Sequence, residues 1–273
     1  MMRRDAGLVK VTGWEQWRWL RHGFSTREGG ISTVYGPGGL NLGWTKEDDP
    51  AFVAENRRRF VRSVAGDLRA KRGVELVTIR QVHSDGVQVV REGHGELATP
   101  DGKAVLEGDG VITDVPGLLL GLQTADCVPV LVVDTKRRAV GAFHAGWRGT
   151  VASIAAKGVA RMGAEYGSRV EDLVAAVGPS IGSCCFEVGE EVRAEFRESF
   201  GYAETLFDRR GHVDLWEANR RQLAGAGVAL ERITVLGECT ACAGLPAGRR
   251  FWSHRAENGF TGRLMGAVGI VAE

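Results

Sequence analysis

The 273-residue sequence contains no GxxxxGK followed by Ser or Thr, and no GxGxxG behind a strand pattern. That argues against an NTPase and against a Rossmann dehydrogenase. Histidine is scarce, with six residues and no His-x-His pair. A blue-copper centre joined to a separate copper cluster needs many more imidazoles than that. Charge of one sign is also lacking. The formal net charge is +1, so no field marks a nucleic-acid partner. The first residues, MMRRDAGLVKV, hold no apolar run long enough for a signal-peptide core. Five cysteines are an odd number, so reduced thiols and a cytoplasmic location are expected. The most apolar stretch, 115–133, is interrupted by Gln123, Thr124, Asp126 and Pro129. Two buried strands explain it better than a membrane span, and no membrane partner is expected. Linkers, low-complexity tracts and fixed-period repeats are missing too. A single domain over 1–273 is expected, as a monomer or small homo-oligomer.

What remains is an ordinary soluble composition, 44% hydrophobic and 25% charged, with a high count of 39 glycines. The glycines lie between apolar runs and so read as tight turns and close backbone approaches. Four helical patterns stand out. One runs from about Pro50 to Lys71 with Asp49 as its cap; a second starts at Thr150, as cap, and continues to about Tyr166. A third covers Val188–Phe200. The fourth begins at Asp214, with Glu217 three residues on as in a capping box. Strand candidates are more numerous: VTIRQV, VQVV, GVITDV, LLLGLQT, VPVLVVD, AVGAFHA, LVAAVG, ITVLGEC, FWSHR and GRLMGAVGIV. Many consecutive strands with few helices predict an α+β fold with mixed β-sheets packed with helices.

Three short segments carry metal-capable side chains where apolar runs give way to turn residues: QVHSDG around His83, TADCVPV around Cys127 and FHAGWRG around His144. Imidazole and thiolate together favour zinc or copper, and three protein ligands leave a fourth tetrahedral position open, as catalytic sites do. The alternative is two surface His and one buried Cys that never meet. Cys127 with either His also satisfies a nucleophile–base pattern. After His144, Gly146 and Gly149 let the backbone come near a ligand, and Arg148 offers a charge-assisted contact to an anion. The competing reading is a Gly-rich turn with Trp147 packed as a lid. Asp126 should point away from Cys127, because neighbours in a strand face opposite ways. Its options are to hold a ligating His, to act as general base, or to cap a backbone N–H. His94-Gly95-Glu96 with Cys239 and Cys242 imitates the halves of a zinc deaminase signature, but their separation is far too long and no Pro precedes Cys239. Cys184 and Cys185 cannot easily bridge each other and read as a buried thiol and a neighbour rather than as ligands.

At these residues the chain resembles a known family. HGFSTREGGIS, ENRRRF, QVHSDGV, GDGVITDVPGLLLGLQTADCVPVLVVD, AFHAGWRGT, VGPSIGSCCFEV and FWSHRAENGFTGR are similar, in this order, to the YfiH/YlmD family. Members have been called multicopper polyphenol oxidases or laccases, purine nucleoside phosphorylases, and peptidoglycan editing factors. The resemblance runs from about His22 to Gly262. It implies a YfiH-like fold related to the bacterial toxin deamidases. It also implies a catalytic Zn2+ on His83, Cys127 and His144, with Cu2+ as an alternative metal. The implied reaction is cleavage of adenosine, inosine, guanosine and methylthioadenosine with phosphate, together with deamination of adenosine. Within the matching segments, Arg57 and Arg27 are the candidates for phosphate or ribose contact, and a structural ion pair is the alternative for each.

The two reactions ask different things of one site. Phosphorolysis needs phosphate aligned against a sugar carbon of oxocarbenium character and a stabilised leaving purine. Deamination needs an acidified water and a general acid–base group, for which Asp126 and Glu55 are candidates. Two rivals belong to other classes. One is a cysteine- or metal-dependent amidase acting on peptidoglycan precursors, and the other a copper-dependent polyphenol oxidase.

Overall fold

A computed structural model describes residues 7–66, 74–208 and 210–271. In chain order the first strands are β1 (Leu8–Val9), β2 (Leu20–Ser25) and β3 (Glu28–Ser32), followed by helix α1 (Pro50–Ala65). Then come β4 (Glu75–Thr78), β5 (Val87–Val90), β6 (Gly110–Thr113), β7 (Leu118–Thr124), β8 (Val128–Asp134) and β9 (Ala139–Ala145). Helices α2 (Trp147–Val151) and α3 (Ile154–Tyr166) precede β10 (Leu173–Val177), α4 (Glu190–Ser199) and α5 (Leu215–Gly225). Strands β11 (Ile233–Val235) and β12 (Leu264–Ile270) close the chain.

Eleven of these strands form two sheets. One has the order β1-β2-β12-β7-β4 and the other β11-β10-β8-β9-β6-β5. Both are mixed: β4 runs parallel to β7, β5 to β6 and β11 to β10, while the remaining neighbours are antiparallel. The fold is α+β, as the order of elements predicts.

Side-chain alternation builds the layers. On β7, Leu118, Leu120 and Leu122 face the second sheet, where Val111, Leu131, Val133, Val140 and Ala142 meet them. The opposite face of the first sheet takes α1 through Phe60 and Val64 against Leu119, Met265 and Ala267. The opposite face of the second sheet takes α3, α4 and α5 through Ile154, Phe196 and Leu223 against Val130, Val132 and Phe143. The result is helix, sheet, sheet, helices. Each fully buried Leu, Val or Phe here contributes roughly 1.5–3 kcal/mol relative to exposure.

Local chemistry explains most boundaries. Asp49 accepts a bond from the Ala51 N–H at 2.8 Å and Pro50 opens α1. The expected end of this helix, 67–71, lies outside the described residues. Asp214 caps α5 by accepting from the Glu217 N–H at 2.9 Å. The other half of the expected capping box is missing, because the Glu217 carboxylate pairs with Arg220 and Arg221. The helix expected to start at Thr150 begins earlier and breaks. Gly146 leads into α2, Thr150 lies inside it, and Ser153 at φ 61° separates α2 from α3. Thr150 is held there by Asn219, whose Nδ2 donates to its hydroxyl at 3.0 Å. Packing of α3 on β9 requires Gly158: a Cβ there would lie 2.3 Å from the Phe143 ring. FWSHR, read as a strand, forms turns instead. Its amides are spent on Asp126 and Glu257 rather than on a ladder.

Candidate metal centre

Two chain crossings between the sheets, and one strand end, meet at the same edge of the sandwich. Ala125-Asp126-Cys127 is the corner that takes the chain from β7 in the first sheet to β8 in the second. His83 lies on the crossing from β4 to β5. His144 occupies the last turn-facing position of β9, on the same face as Val140 and Ala142. Metal-capable atoms of His83, Cys127 and His144 therefore fall within 4.8 Å of one another. The Cys127 Sγ is 3.9 Å from His83 Nε2, and the two imidazole rings meet edge-on at 5.0 Å.

Those distances fit the donor set. In a tetrahedral zinc site the S···N edge is about 3.6 Å, from bonds of roughly 2.3 and 2.0–2.1 Å. Space is reserved for close approach as well. A Cβ on Gly146 would stand 3.0 Å from Cys127 Sγ and 3.2 Å from His83 Cδ2. His144 is buried and Cys127 half-buried, while His83 is exposed, so the cluster opens to solvent on the His83 side.

Asp109 organises the cluster from behind. It is fully buried just before β6, and its carboxylate accepts the N–H groups of Val82, His83 and Ser84 at 3.1, 3.0 and 2.6 Å. It also accepts the Ser84 hydroxyl at 2.8 Å and bonds His144 Nδ1 at 2.8 Å. The last bond fixes the ring and leaves Nε2 to face the cluster, the carboxylate–histidine pairing typical of metal ligands. Burial opposes charge on Asp109, but His144 and the Ser84 donors hold it well below the usual carboxylate range. These bonds also sustain His83 at φ 61°, a conformation that costs a non-glycine residue energy. Burial pushes the Cys127 thiol up; the charge and hydrogen bond of His144, with help from His83, outweigh it and bring Cys127 to about 6. Burial likewise opposes the His144 imidazolium, and Cys127 with Asp109 raises it to about 9. Each group thus favours the charged form of the other, and a metal ligand must shed its proton to bind, so metal binding here releases protons.

The other expected residues are placed as follows. Asp126 adopts φ 88° and points away from the cluster; one oxygen accepts the Thr240 hydroxyl at 2.6 Å and the other the Arg255 N–H at 2.7 Å. Arg57 is buried in α1, donates Nε to the Leu42 carbonyl at 2.9 Å and lies over the Trp44 ring. Its Nη2 is buried without a hydrogen-bond partner, and burial lowers the guanidinium to about 10. Arg27 pairs with Glu257 at 3.1 Å and stacks on Trp252. Arg148 is exposed and lies over the Trp147 ring. Glu55 spends its carboxylate on Arg58, Arg59 and Arg62 along the face of α1.

Asp109 was not singled out by the sequence, although it stands in GDGVITDV just before a buried strand, where a charged residue needs partners. The four remaining cysteines also assemble, contrary to the reading of Cys184 and Cys185 as a thiol and its neighbour. Cys184, Cys185, Cys239 and Cys242 bring their sulfurs within 4.8 Å of one another. The two groups are the metal-capable clusters among the described residues, and His94 belongs to neither.

Comparison with known proteins places the chain in a family. The family described as "Multi-copper polyphenol oxidoreductase laccase" matches residues 21–271. A purine nucleoside phosphorylase of Deinococcus radiodurans is 41% identical over 254 residues, covering 91% of this chain and 88% of its own. Adenosine deaminase RL5, from an unknown prokaryotic organism, is 36% identical over 225 residues, 80% of this chain and 84% of its own. Among solved structures, the Bacillus licheniformis hypothetical protein YfiH superposes with a TM-score of 0.85 at 32% identity, covering 98% of both chains. The chain is an enzyme, and it belongs to the YfiH/YlmD family of laccase-like, purine-nucleoside-phosphorylase-type proteins.

Proposed function

We infer that this enzyme is a zinc-dependent purine nucleoside phosphorylase acting on adenosine, inosine, guanosine and methylthioadenosine, and that it also deaminates adenosine. The observation that carries the reading is the convergence of His83, Cys127 and His144 on one point, open on the His83 side and braced by Asp109. The names of the relatives supply the substrate class. His83, Cys127 and His144 would hold the zinc, which would supply Lewis acidity toward substrate or solvent.

The chain's own residues account for the rest. Asp109 keeps His144 in one tautomer and orientation. Arg57 is the candidate for phosphate, because its unpartnered Nη2 can take an anion oxygen. Arg27 has its guanidinium engaged by Glu257 and Trp252, and Arg148 stands exposed, so both rank behind Arg57 for that contact. In phosphorolysis a phosphate oxygen bonds to the sugar C1′ as the bond to the purine nitrogen breaks, and the purine leaves with a proton. Water in place of phosphate, directed at the purine ring, gives deamination with loss of ammonia. Asp126 has both oxygens occupied and serves by fixing the Cys127 corner rather than by carrying the proton. The free thiols fit a reducing, cytoplasmic setting. No helix among the described residues is long and apolar enough to cross a membrane.

A second reading has one observation in its favour: Cys127 Sγ lies 3.9 Å from His83 Nε2 with His144 alongside, the placing of a cysteine nucleophile and its base. Metal depletion separates the two. Protein stripped of metal and then resupplied with zinc is incubated with adenosine, with and without phosphate. Adenine and ribose 1-phosphate should require both zinc and phosphate, and inosine should require zinc alone. Turnover by the metal-free protein would transfer the site to cysteine-nucleophile hydrolysis.

A further inference from the structure

The four cysteines that the proposed reaction does not use lie on two neighbouring loops. Strands β10 and β11 pair in parallel, and the chain leaves both at the same end. Beyond β10, residues 180–186 turn back, with the Gly182 carbonyl accepting from the N–H groups of Cys185 and Phe186 at 2.9 and 3.0 Å. Beyond β11, residues 238–243 run alongside: Ser180 N–H bonds the Glu238 carbonyl at 3.2 Å and Thr240 N–H bonds the Ser180 carbonyl at 3.0 Å. The pairing continues the sheet just far enough to set Cys184 and Cys185 against Cys239 and Cys242.

We propose that Cys184, Cys185, Cys239 and Cys242 form a second, structural zinc site. All four sulfurs lie within 4.8 Å of one another, and Cys184 and Cys242 are 3.6 Å apart. Four thiolates around one Zn2+ stand about 3.8 Å apart, from bonds of about 2.3 Å in a tetrahedron. The two loops are also tied to each other at the sulfurs. Cys239 Sγ accepts the Gly182 N–H at 3.3 Å, a bond across the two loops of the kind that orients a ligating sulfur. Gly182 is needed for this approach: a Cβ there would stand 3.3 Å from Cys184 Sγ and 2.7 Å from the Trp216 ring. Ile181 and Ala241 are buried around the cluster, and Cys185 and Cys242 pack against them. Four protein ligands leave no open position, so this ion holds structure and does no chemistry. Its reach is nonetheless functional. Thr240, between Cys239 and Cys242, donates to Asp126, and Ile181 N–H bonds the Asp126 carbonyl at 2.9 Å. A metal pinning the two loops therefore pins the corner that presents Cys127.

The test is metal analysis of the full chain purified under reducing conditions without chelator, with Cys127→Ala and a Cys239→Ser/Cys242→Ser double variant alongside. Wild type should hold about two zinc ions per chain, and each variant about one. Should the double variant fail to fold, cobalt replacement in wild-type protein decides. The intense thiolate-to-cobalt and visible bands of a four-sulfur centre are expected, and they should survive in Cys127→Ala. One zinc ion per chain that Cys127→Ala removes entirely would overturn the proposal, as would Cys184 and Cys242 recovered as a disulfide. Because the first cluster is counted in the same samples, loss of zinc there alone would weaken the proposed activity and leave this site standing.

Discussion

Two sulfur-containing clusters stand at neighbouring points of the fold and differ in every respect that matters to a metal. The first has one cysteine and two histidines from three segments, an exposed side and a buried carboxylate behind. The second has four cysteines from two loops and a backbone amide, that of Gly182, in place of a carboxylate. An open set with an oriented histidine can exchange a bound solvent for a substrate; a closed set of sulfurs cannot. The difference also shows where strain is stored. His83, within the open cluster, and Asp126, next to Cys127, are both at positive φ. The cysteine loops have no such residue among those described and rest on continued sheet pairing. Asp126 joins the two, with its main chain next to Cys127 and its carboxylate bonded to Thr240.

The largest change should come from the brace of the open cluster. Asp109→Asn would place an amide among donors that a carboxylate now accepts, costing about 3–5 kcal/mol of stability as a broken buried network. Zinc affinity at the open cluster should fall about 10–100-fold. Chelator competition and thermal melting measure both, and unchanged affinity would remove Asp109 from the metal centre. The four-cysteine site should keep its zinc.

Acid sharpens the comparison only when the fold's own limit is known, and His22 sets it. Burial, with Lys10 nearby, lowers His22 from 6.5 to about 4, and its neutral Nε2 accepts the Val11 N–H at 3.0 Å. The folded value lies below the unfolded one, so stability is intact above pH 6.5 and declines as pH falls toward 4. The shift corresponds to about 3 kcal/mol. Urea midpoints across that range should fall for wild type and flatten for His22→Gln.

Smaller effects are expected where the cluster is merely crowded. Gly146→Ala should weaken zinc at the open cluster about tenfold, or about 1.4 kcal/mol, because its Cβ forces Cys127 or His83 to move by a few tenths of an ångström. Equilibrium dialysis reads this, and the melting temperature of the apoprotein should change little. Last, Arg57→Lys should raise the KM for phosphate several-fold through loss of the Nη2 donor, whereas Arg27→Lys should leave that KM alone. Equal effects on both would deny Arg57 its special place.

Much of the open cluster is legible in the sequence because each ligand sits where an apolar run ends: QVH, TADC, AFH. The strand runs themselves give the sheets, since VPVLVVD and AVGAFHA are buried on both faces. Asp109 was less visible because nothing in GDGVITDV tells a buried carboxylate from a turn residue until Ser84 and His144 are folded against it. The cysteine cluster was hidden for a different reason. Its two halves belong to distant loops that meet only because β10 and β11 pair in parallel, a register no local pattern encodes. FWSHR misled for a related reason: its apolar start reads as a strand, while Asp126 and Glu257 draw its amides into turns.

The central claim is that both reactions run at the open cluster. Product analysis of Cys127→Ala with adenosine, with and without phosphate, tests it most directly, with zinc content and folding checked in the same preparation. The account predicts neither adenine with ribose 1-phosphate nor inosine, in a folded protein that still holds zinc at the four cysteines. Persistence of either product in that variant would contradict it.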